Sequence, residues 1–177
     1  DAVKQFEKGT GIKVKYEEYE SPEEMYTKYK AGSIDYDVIC SSEYMVEKLI
    51  NEGEVLQMDY AGMENYKNLD PTIIDMSSAY DKDHNYSLPY FYGTLGLLYN
   101  KTEVDPSVVK SWDCLWDPTY EDEIIMENSV RDTFAPALID LGYSLNETDE
   151  THLREALDVL KKQKDDKIVY GYYVDET

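Results

Sequence analysis

Hydrophobic and polar positions change their spacing repeatedly along the first half of the chain. Residues 2–8 (AVKQFEK) have helical spacing, whereas residues 12–16 (IKVKY) alternate as in a strand. Residues 21–24 (SPEE) then combine an N-cap, a proline in the first turn and a capping-box glutamate, so a helix is predicted from Ser21 to Gly32. The pattern therefore opens with a helix, a strand and a second helix.

The same alternation continues as far as residue 59. Residues 36–41 (YDVICS) form a mostly apolar run, which is typical of a buried parallel strand. Ser42 is predicted to cap a helix that Gly53 ends, and residues 54–59 (EVLQMD) favour a further strand. Strands and helices that alternate with short connections indicate a doubly wound α/β fold.

Aromatic residues are concentrated between residues 85 and 118. Residues 87–92 (SLPYFY) and 94–100 (TLGLLYN) are predicted as two strands separated by Gly93. Rings gathered where one strand system gives way to another indicate a cleft between two lobes, and small ligands bind in such clefts.

The second half repeats the alternation of helix and strand. Ser129 is predicted to cap a helix through Leu141 that contains Pro136, where a kink is expected. The remaining predicted elements are a helical turn over 112–116 stopped by Pro118, a strand over 123–128, an amphipathic helix beginning at 148–150 and a strand over 168–174.

Charge and hydrophobicity exclude several classes of protein. The net charge of −21 in 177 residues argues against a nucleic-acid partner, because phosphate contacts require lysine and arginine. No run of eighteen apolar residues occurs. The acidity is typical of a solvated surface, and it also favours a cationic ligand; charge alone leaves both interpretations open. The eighteen tyrosines suit half-wet surfaces such as ligand clefts.

Motifs for catalysis and metal binding are incomplete. Ser107 to Lys110 matches an SxxK motif without its companion elements, and the two histidines lack metal-binding spacing. Residues 81–85 begin like a calcium loop, but tyrosines occupy its sixth and twelfth positions, so a polar turn is predicted. Cys40 and Cys114 are expected to be small buried residues. We expect no enzyme activity, no metal and no cofactor.

Five blocks of sequence resemble one family in their order along the chain. The blocks are FEKGTGIKVKYEEYESPEEMYTKYKAG, YDVICSSEYMVEKLINEGEVLQMD, YSLPYFYGTLGLLYN, SWDCLWDPTYEDEIIMENSVRDTFAPAL and LGYSLNETDETHLREALDVLKKQK. Over essentially its whole length the chain resembles the spermidine/putrescine-binding periplasmic proteins of ABC transporters.

The resemblance implies a type II periplasmic binding protein fold with two α/β lobes joined by crossing strands. It places the first lobe at residues 1–93 and the second at 94–177, with the crossing at 92–98. In the family a leading strand precedes the segment equivalent to Ala2, and a further stretch completes the second lobe. The chain is therefore expected to be truncated at both ends, with exposed edges that favour self-association.

The resemblance also implies a binding site. Ser42 and Tyr44 match positions that hydrogen-bond a terminal amine, and Tyr90 and Tyr92 match an aromatic pair, with Tyr92 in place of a tryptophan. Asp132 matches a carboxylate that faces an ammonium group. Ser129 stands where some members have a second acid, so one anionic contact is expected to be missing.

A receptor of this kind would work on the periplasmic or extracellular face of the cytoplasmic membrane and would deliver polyamine to ABC permease subunits. The sequence leaves open whether it is free in the periplasm, lipid-anchored or fused to a permease. Two alternatives remain open from the residues. One is a ferric-ion receptor of the same fold, for which Tyr172 and Tyr173 are adjacent candidate ligands. The other is an acidic hydrolase, which would need two carboxylates at a suitable spacing across a cleft.

Overall fold

The computed structural model describes residues 2–174, and the chain divides into two compact units between Tyr92 and Gly93. This division lies one residue from the predicted lobe boundary at 93/94. That the two units correspond to two incomplete lobes of such a fold stays a prediction. No helix within residues 2–174 has both the length and the apolar character needed to cross a membrane.

The first unit is built from helices and short helical turns. The α-helices are α1 (Ala2–Thr10), α2 (Pro22–Lys30), α3 (Glu43–Asn51) and α4 (Pro71–Ser77), with 3₁₀ turns at Tyr60–Gly62 and Glu64–Asn68. The helices predicted at residues 2–8, after Ser21 and after Ser42 are therefore confirmed.

Local hydrogen bonds at the start of α2 follow the sequence signal. Ser21 Oγ accepts a bond from the Glu24 amide at 3.1 Å, with Pro22 in the first turn. The Glu24 carboxylate bonds the amide of Glu20 at 2.9 Å, one residue before the position that a capping box would use. Gly32 follows the helix with a φ of +66°, a conformation that favours glycine.

The core of the first unit is small and rich in methionine. Met25 of α2 packs with Met45 and Leu49 of α3, and all three are almost fully buried. Tyrosines surround this cluster, and the hydroxyl of Tyr26 donates to the Glu52 carboxylate at 2.9 Å. These rings bury their apolar bodies while the hydroxyls bond to carboxylates, as expected of a half-wet surface.

Five predicted strands have no ladder within the part of the chain that the structure describes. They are residues 12–16, 36–41, 54–59, 87–92 and 94–100, none of which forms a strand. Val38, expected in a buried strand, is 83% exposed, and Leu56, expected in a further strand, is 89% exposed. An alternating or apolar pattern becomes a strand only when another backbone pairs with it in a ladder, and no backbone among residues 2–174 does so here. A single bond from the Met58 amide to the Asn85 carbonyl at 2.7 Å does not make a ladder.

The second unit contains the one sheet of the described residues. β1 (Ile124–Glu127) pairs in parallel with β2 (Val169–Tyr173), with a shift between Ile124 and Ile125 and with Glu127 opposite Tyr173. The helices are α5 (Val130–Asp140) and α6 (Glu150–Asp165), preceded by 3₁₀ turns at Trp112–Trp116 and Pro118–Tyr120. The elements predicted after residue 110 are thus confirmed.

Helices α5 and α6 pack with β1 and with the Trp112–Trp116 turn to form the core of the second unit. Leu138 of α5 and Leu160 of α6 pack with Met126 of β1 and Leu115 of the first 3₁₀ turn. Pro136 lies inside α5, is buried, and leaves the helix continuous. Gln163 of α6 is also buried, and its amide nitrogen donates to the Leu115 carbonyl at 2.7 Å. This hydrogen bond joins α6 to the 3₁₀ turn at Trp112–Trp116.

The two cysteines differ in environment, and both are free. Cys114 is buried in the core of the second unit, as predicted. Cys40 is exposed, so the prediction that both would be buried is wrong for Cys40. The cause is the unpaired state of residues 36–41, because the segment that carries Cys40 has no neighbouring strand to cover it.

Candidate functional site

An open depression of about 860 Å³ lies in the second unit. Its walls are the segment 95–100, the turn that begins at Trp112, residues 123–127 along the whole of β1, and the end of β2 at residues 173–174. We call it the acidic depression. Ligands of open α/β sheets bind outside the carboxyl ends of the strands, and the strand-end residues Glu127 and Tyr173 place part of the depression at that edge.

Aromatic rings and carboxylates line the acidic depression together. Four rings line it: Tyr99, Trp112, Tyr120 and Tyr173. Four carboxylates line it: Glu103, Glu123, Glu127 and Asp132. None of the described residues that line it is a lysine, arginine or histidine. Within residues 2–174, no lysine or arginine forms an ion pair with any of these four acids. Such a surface suits a cation that also carries apolar groups.

The start of α5 places Asp132 on this surface. Asp132 lies in the first turn of the helix, exposed and lining the depression. Ser129 is the N-cap residue, and its hydroxyl accepts the Asp132 amide at 3.4 Å. The Ser129 hydroxyl is thus engaged by the backbone, which supports a capping role, whereas Asp132 is an exposed residue that lines the depression.

Ser42 and Tyr44 belong to the first unit, at the start of α3. Ser42 occupies the N-cap position with an extended backbone, but its side chain forms no capping bond, so the predicted side-chain cap is wrong. The Ser42 carbonyl instead accepts the amides of Met45 and Val46. Tyr44 is half-buried against the core of the first unit, and its hydroxyl donates to Glu23 at 2.9 Å. A ligand-binding role for both residues stays a prediction.

Tyr90 and Tyr92 lie at the end of the first unit. Their side chains are 70% and 75% exposed, and the Tyr90 ring packs against Phe91 with 4.1 Å between centroids. The residues that carry them form no strand, because the segment has no pairing partner among the described residues. Their predicted contact with a ligand stays a prediction.

Adjacent tyrosines in β2 bear on the ferric-ion alternative. Tyr172 packs against the core of the second unit, and its burial raises the pKa of its hydroxyl. Tyr173 lines the acidic depression. Successive side chains of a strand point to opposite faces, so these two hydroxyls do not converge on one ion. A higher pKa also disfavours the tyrosinate that iron would need.

Among the carboxylates and rings of the depression, sequence reasoning assigned only Asp132 to the amine site, and it did not assign Glu127 or Tyr173 to that site. Both stand at the carboxyl ends of predicted strands, which is the signal that could have identified them. Their proximity depended on the pairing of β1 with β2, which no local pattern contains.

Comparison with known proteins gives the chain its family. Residues 1–177 match the family described as bacterial extracellular solute-binding protein. The spermidine/putrescine-binding periplasmic protein of Escherichia coli (strain K12) is 40% identical over 163 residues, which are 90% of this chain and 46% of that protein. The chain therefore spans about half the length of the curated relatives it matches.

Two solved structures are similar over nearly the whole chain. One is a protein from Listeria monocytogenes that is provisionally named a spermidine/putrescine ABC transporter. Its TM-score is 0.89 at 36% identity, and the match covers 98% of this chain and 53% of the Listeria chain. The spermidine/putrescine ABC transporter substrate-binding protein PotD from Streptococcus pneumoniae has a TM-score of 0.70 at 37% identity, with 98% and 52% covered.

These matches confirm the predicted fold class, an α/β fold of the type II periplasmic binding protein kind, in a chain that covers part of its relatives. The unpaired segments of the first unit therefore lie within an α/β fold, although no ladder forms there among residues 2–174. The chain belongs to the family of bacterial extracellular solute-binding proteins.

Proposed function

We propose that the whole protein carrying this sequence is an extracytoplasmic receptor for polyamines such as putrescine and spermidine. It works on the periplasmic or extracellular face of the cytoplasmic membrane and passes its ligand to the permease subunits of an ABC transporter. The observation that carries this proposal is the acidic depression, where carboxylates and aromatic rings share one surface without a basic residue among the described lining.

The chemistry of a polyamine matches this surface in two respects. Each ammonium group is stabilised by a carboxylate and by a ring face within about 6 Å. The methylene groups between the amines need apolar walls, which tyrosine and tryptophan provide with little loss of side-chain entropy. The family is named for solute binding, and we propose that the ligand is bound without chemical change.

The relatives support the same class of ligand. The E. coli and S. pneumoniae proteins are named for spermidine and putrescine, and a 36% identical protein from Pseudomonas aeruginosa is named for putrescine and cadaverine. All of these ligands are linear amines with at least two positive charges. The iron-receptor alternative finds no comparable support, because Tyr172 and Tyr173 diverge.

Isothermal calorimetry on the whole protein tests the proposal. We expect putrescine or spermidine to bind. Asp132→Asn should weaken that binding about 10- to 100-fold, because the ammonium group of the ligand loses the negative charge of its hydrogen-bond partner. Asp158→Asn, on the exposed side of α6, is the matched control and should leave the affinity unchanged. Absence of heat with every diamine and polyamine tried would contradict the proposed function.

We also propose that the 177-residue chain by itself associates with further copies. Apolar side chains such as Val38, Leu56 and Leu98 are almost wholly exposed, and large exposed apolar patches favour association. Light scattering during size-exclusion chromatography should give a mass that rises with concentration. A single mass of 20.6 kDa at every concentration would argue against this proposal.

A further inference from the structure

We propose that Glu127 determines the specificity for two amines, binding the second ammonium group of a ligand whose first ammonium group binds Asp132, with the Tyr173 ring against the carbon chain between them. This inference rests on the proposed function. It assigns to the strand end the second anionic contact that the serine at position 129 does not supply.

Strand pairing brings Glu127 and Tyr173 together at the carboxyl edge of the sheet. The two residues are directly opposite each other in the parallel ladder, and both line the acidic depression. The amide of Asn128 donates to the Tyr173 carbonyl at 2.7 Å, so the backbones stay joined beyond the last residue of β1. Neighbouring residues in register project from the same face of a sheet, so carboxylate and ring share one wall.

The Tyr173 ring has a defined place because of Gly171. A Cβ atom at residue 171 would lie 2.6 Å from Cε2 of the Tyr173 ring and 3.0 Å from its Cζ. The missing side chain of Gly171 therefore creates the space in which the ring lies along the strand. The ring therefore lies over residue 171, which pairs with Ile125 two residues before Glu127, and it extends along the wall that Glu127 ends.

A short connection relates Glu127 to Asp132. β1 ends at Glu127 and α5 begins at Val130, so only two residues separate strand and helix. The Thr133 hydroxyl donates to the Glu127 carbonyl, which ties the first turn of the helix to the strand end. The backbone positions of Glu127 and Asp132 are therefore held in a constant relation, as the recognition of a diamine by length requires.

The other two acids of the depression are less suited to this role. Glu123 precedes β1, so about 13 Å of strand separates it from Glu127, at roughly 3.3 Å per residue. Glu103 lies in a turn whose backbone bonds run to Asn100, whereas the Thr133–Glu127 hydrogen bond joins the two elements that carry Glu127 and Asp132. Glu127 is therefore the carboxylate that best pairs with Asp132 around a short ligand.

Calorimetry on the whole protein with 1,4-diaminobutane and with butylamine tests this assignment. We expect Glu127→Gln to weaken diamine binding about 10- to 100-fold, because the second ammonium group of the diamine loses its carboxylate partner. Butylamine has no second ammonium group, so its binding should change much less. Glu127→Asp keeps the charge but shortens the side chain by one methylene, so it should move the preference from 1,4-diaminobutane towards 1,5-diaminopentane. Glu121→Gln, exposed and outside the depression, is the charge-matched control.

The outcomes separate this inference from the proposed function. If the unmodified protein binds diamine and Glu127→Gln, shown to be folded by circular dichroism, changes the affinity less than twofold, the role of Glu127 is overturned while the function stands. Equal fold losses of affinity for the diamine and for butylamine would also overturn it. Such a result would show that the substitution acts through the overall negative charge of the depression and not through a contact with the second ammonium group. If the unmodified protein binds no amine, the proposed function fails, and this inference with it.

Discussion

Replacement of Asp81 by alanine is expected to lower the free energy of unfolding by about 3 kcal/mol, because a buried carboxylate organises the turn after α4. Asp81 is 2% exposed. One of its oxygens accepts the Asn85 amide at 3.0 Å, and the other accepts the amides of Tyr86 and Ser87 at 2.9 and 2.8 Å. The Ser87 hydroxyl is a fourth donor, at 2.9 Å. Alanine would leave these donors without their acceptor.

Urea titration followed by circular dichroism measures this effect. Asp83→Ala is the matched control, since Asp83 lies in the same turn but is exposed, and it should change the free energy of unfolding by less than about 0.5 kcal/mol. Equal effects of the two substitutions would show that the turn does not depend on the buried carboxylate. This turn was predicted as a polar turn rather than a calcium loop, and its leading acid is occupied by its own backbone.

The same carboxylate makes stability depend on pH. Burial disfavours its charge, but the hydrogen bonds from Tyr86, Asn85 and Ser87 outweigh burial and hold the pKa of Asp81 below its ordinary value of 3.8. A depressed pKa in the folded state contributes stability above the unfolded pKa, and that contribution is lost as the pH falls through the folded pKa. Below about pH 4, therefore, the unmodified protein should lose stability more steeply than Asp81→Ala.

Replacement of Leu138 by alanine is expected to lower the free energy of unfolding of the second unit by about 2–5 kcal/mol. Leu138 is 2% exposed and belongs to the core cluster that joins α5, α6 and β1. Alanine removes apolar contacts and leaves a cavity that neighbouring side chains cannot fill without strain.

Ile139→Ala, one residue along the same helix, is the control for Leu138→Ala. Ile139 has a side chain of the same composition but is 39% exposed, so its loss should cost about 1 kcal/mol or less. Both changes place alanine in α5, so helix propensity contributes in the same direction to each. Denaturant titration should therefore separate the two variants by more than 1 kcal/mol. Similar values would indicate that the core of the second unit is loosely packed.

Local signals predicted five of the six α-helices of the described residues, α4 (Pro71–Ser77) being the exception. The sequence SPEE starts α2, Ser129 starts α5 and the apolar face from Leu153 to Leu160 marks α6, since each depends on residues within about four positions of one another. Ser42 shows the limit of such signals. The position is an N-cap, but the capping bond depends on a side-chain orientation that the sequence does not contain.

Local signals were less successful for strands, since only the strands predicted at 123–128 and 168–174 form a ladder among residues 2–174. Residues 36–41 and 124–127 are both apolar, yet only the second run pairs, because β2 lies beside it. A strand is stabilised by bonds to a backbone that is distant in sequence, so a correct pattern is necessary but not sufficient.

By itself the sequence determined most of the helices and the acidic and aromatic character of the chain, which depend on residue identity and short spacing. It also determined the resemblance to polyamine receptors, and that resemblance implied Asp132 as a candidate ligand. Only the tertiary structure decided that Asp132 shares a depression with Glu127 and Tyr173, because strand register places residues 46 positions apart (173 − 127) side by side. It also decided that Ser129 and Tyr44 are engaged within the protein, since their hydroxyls bond to Asp132 and Glu23.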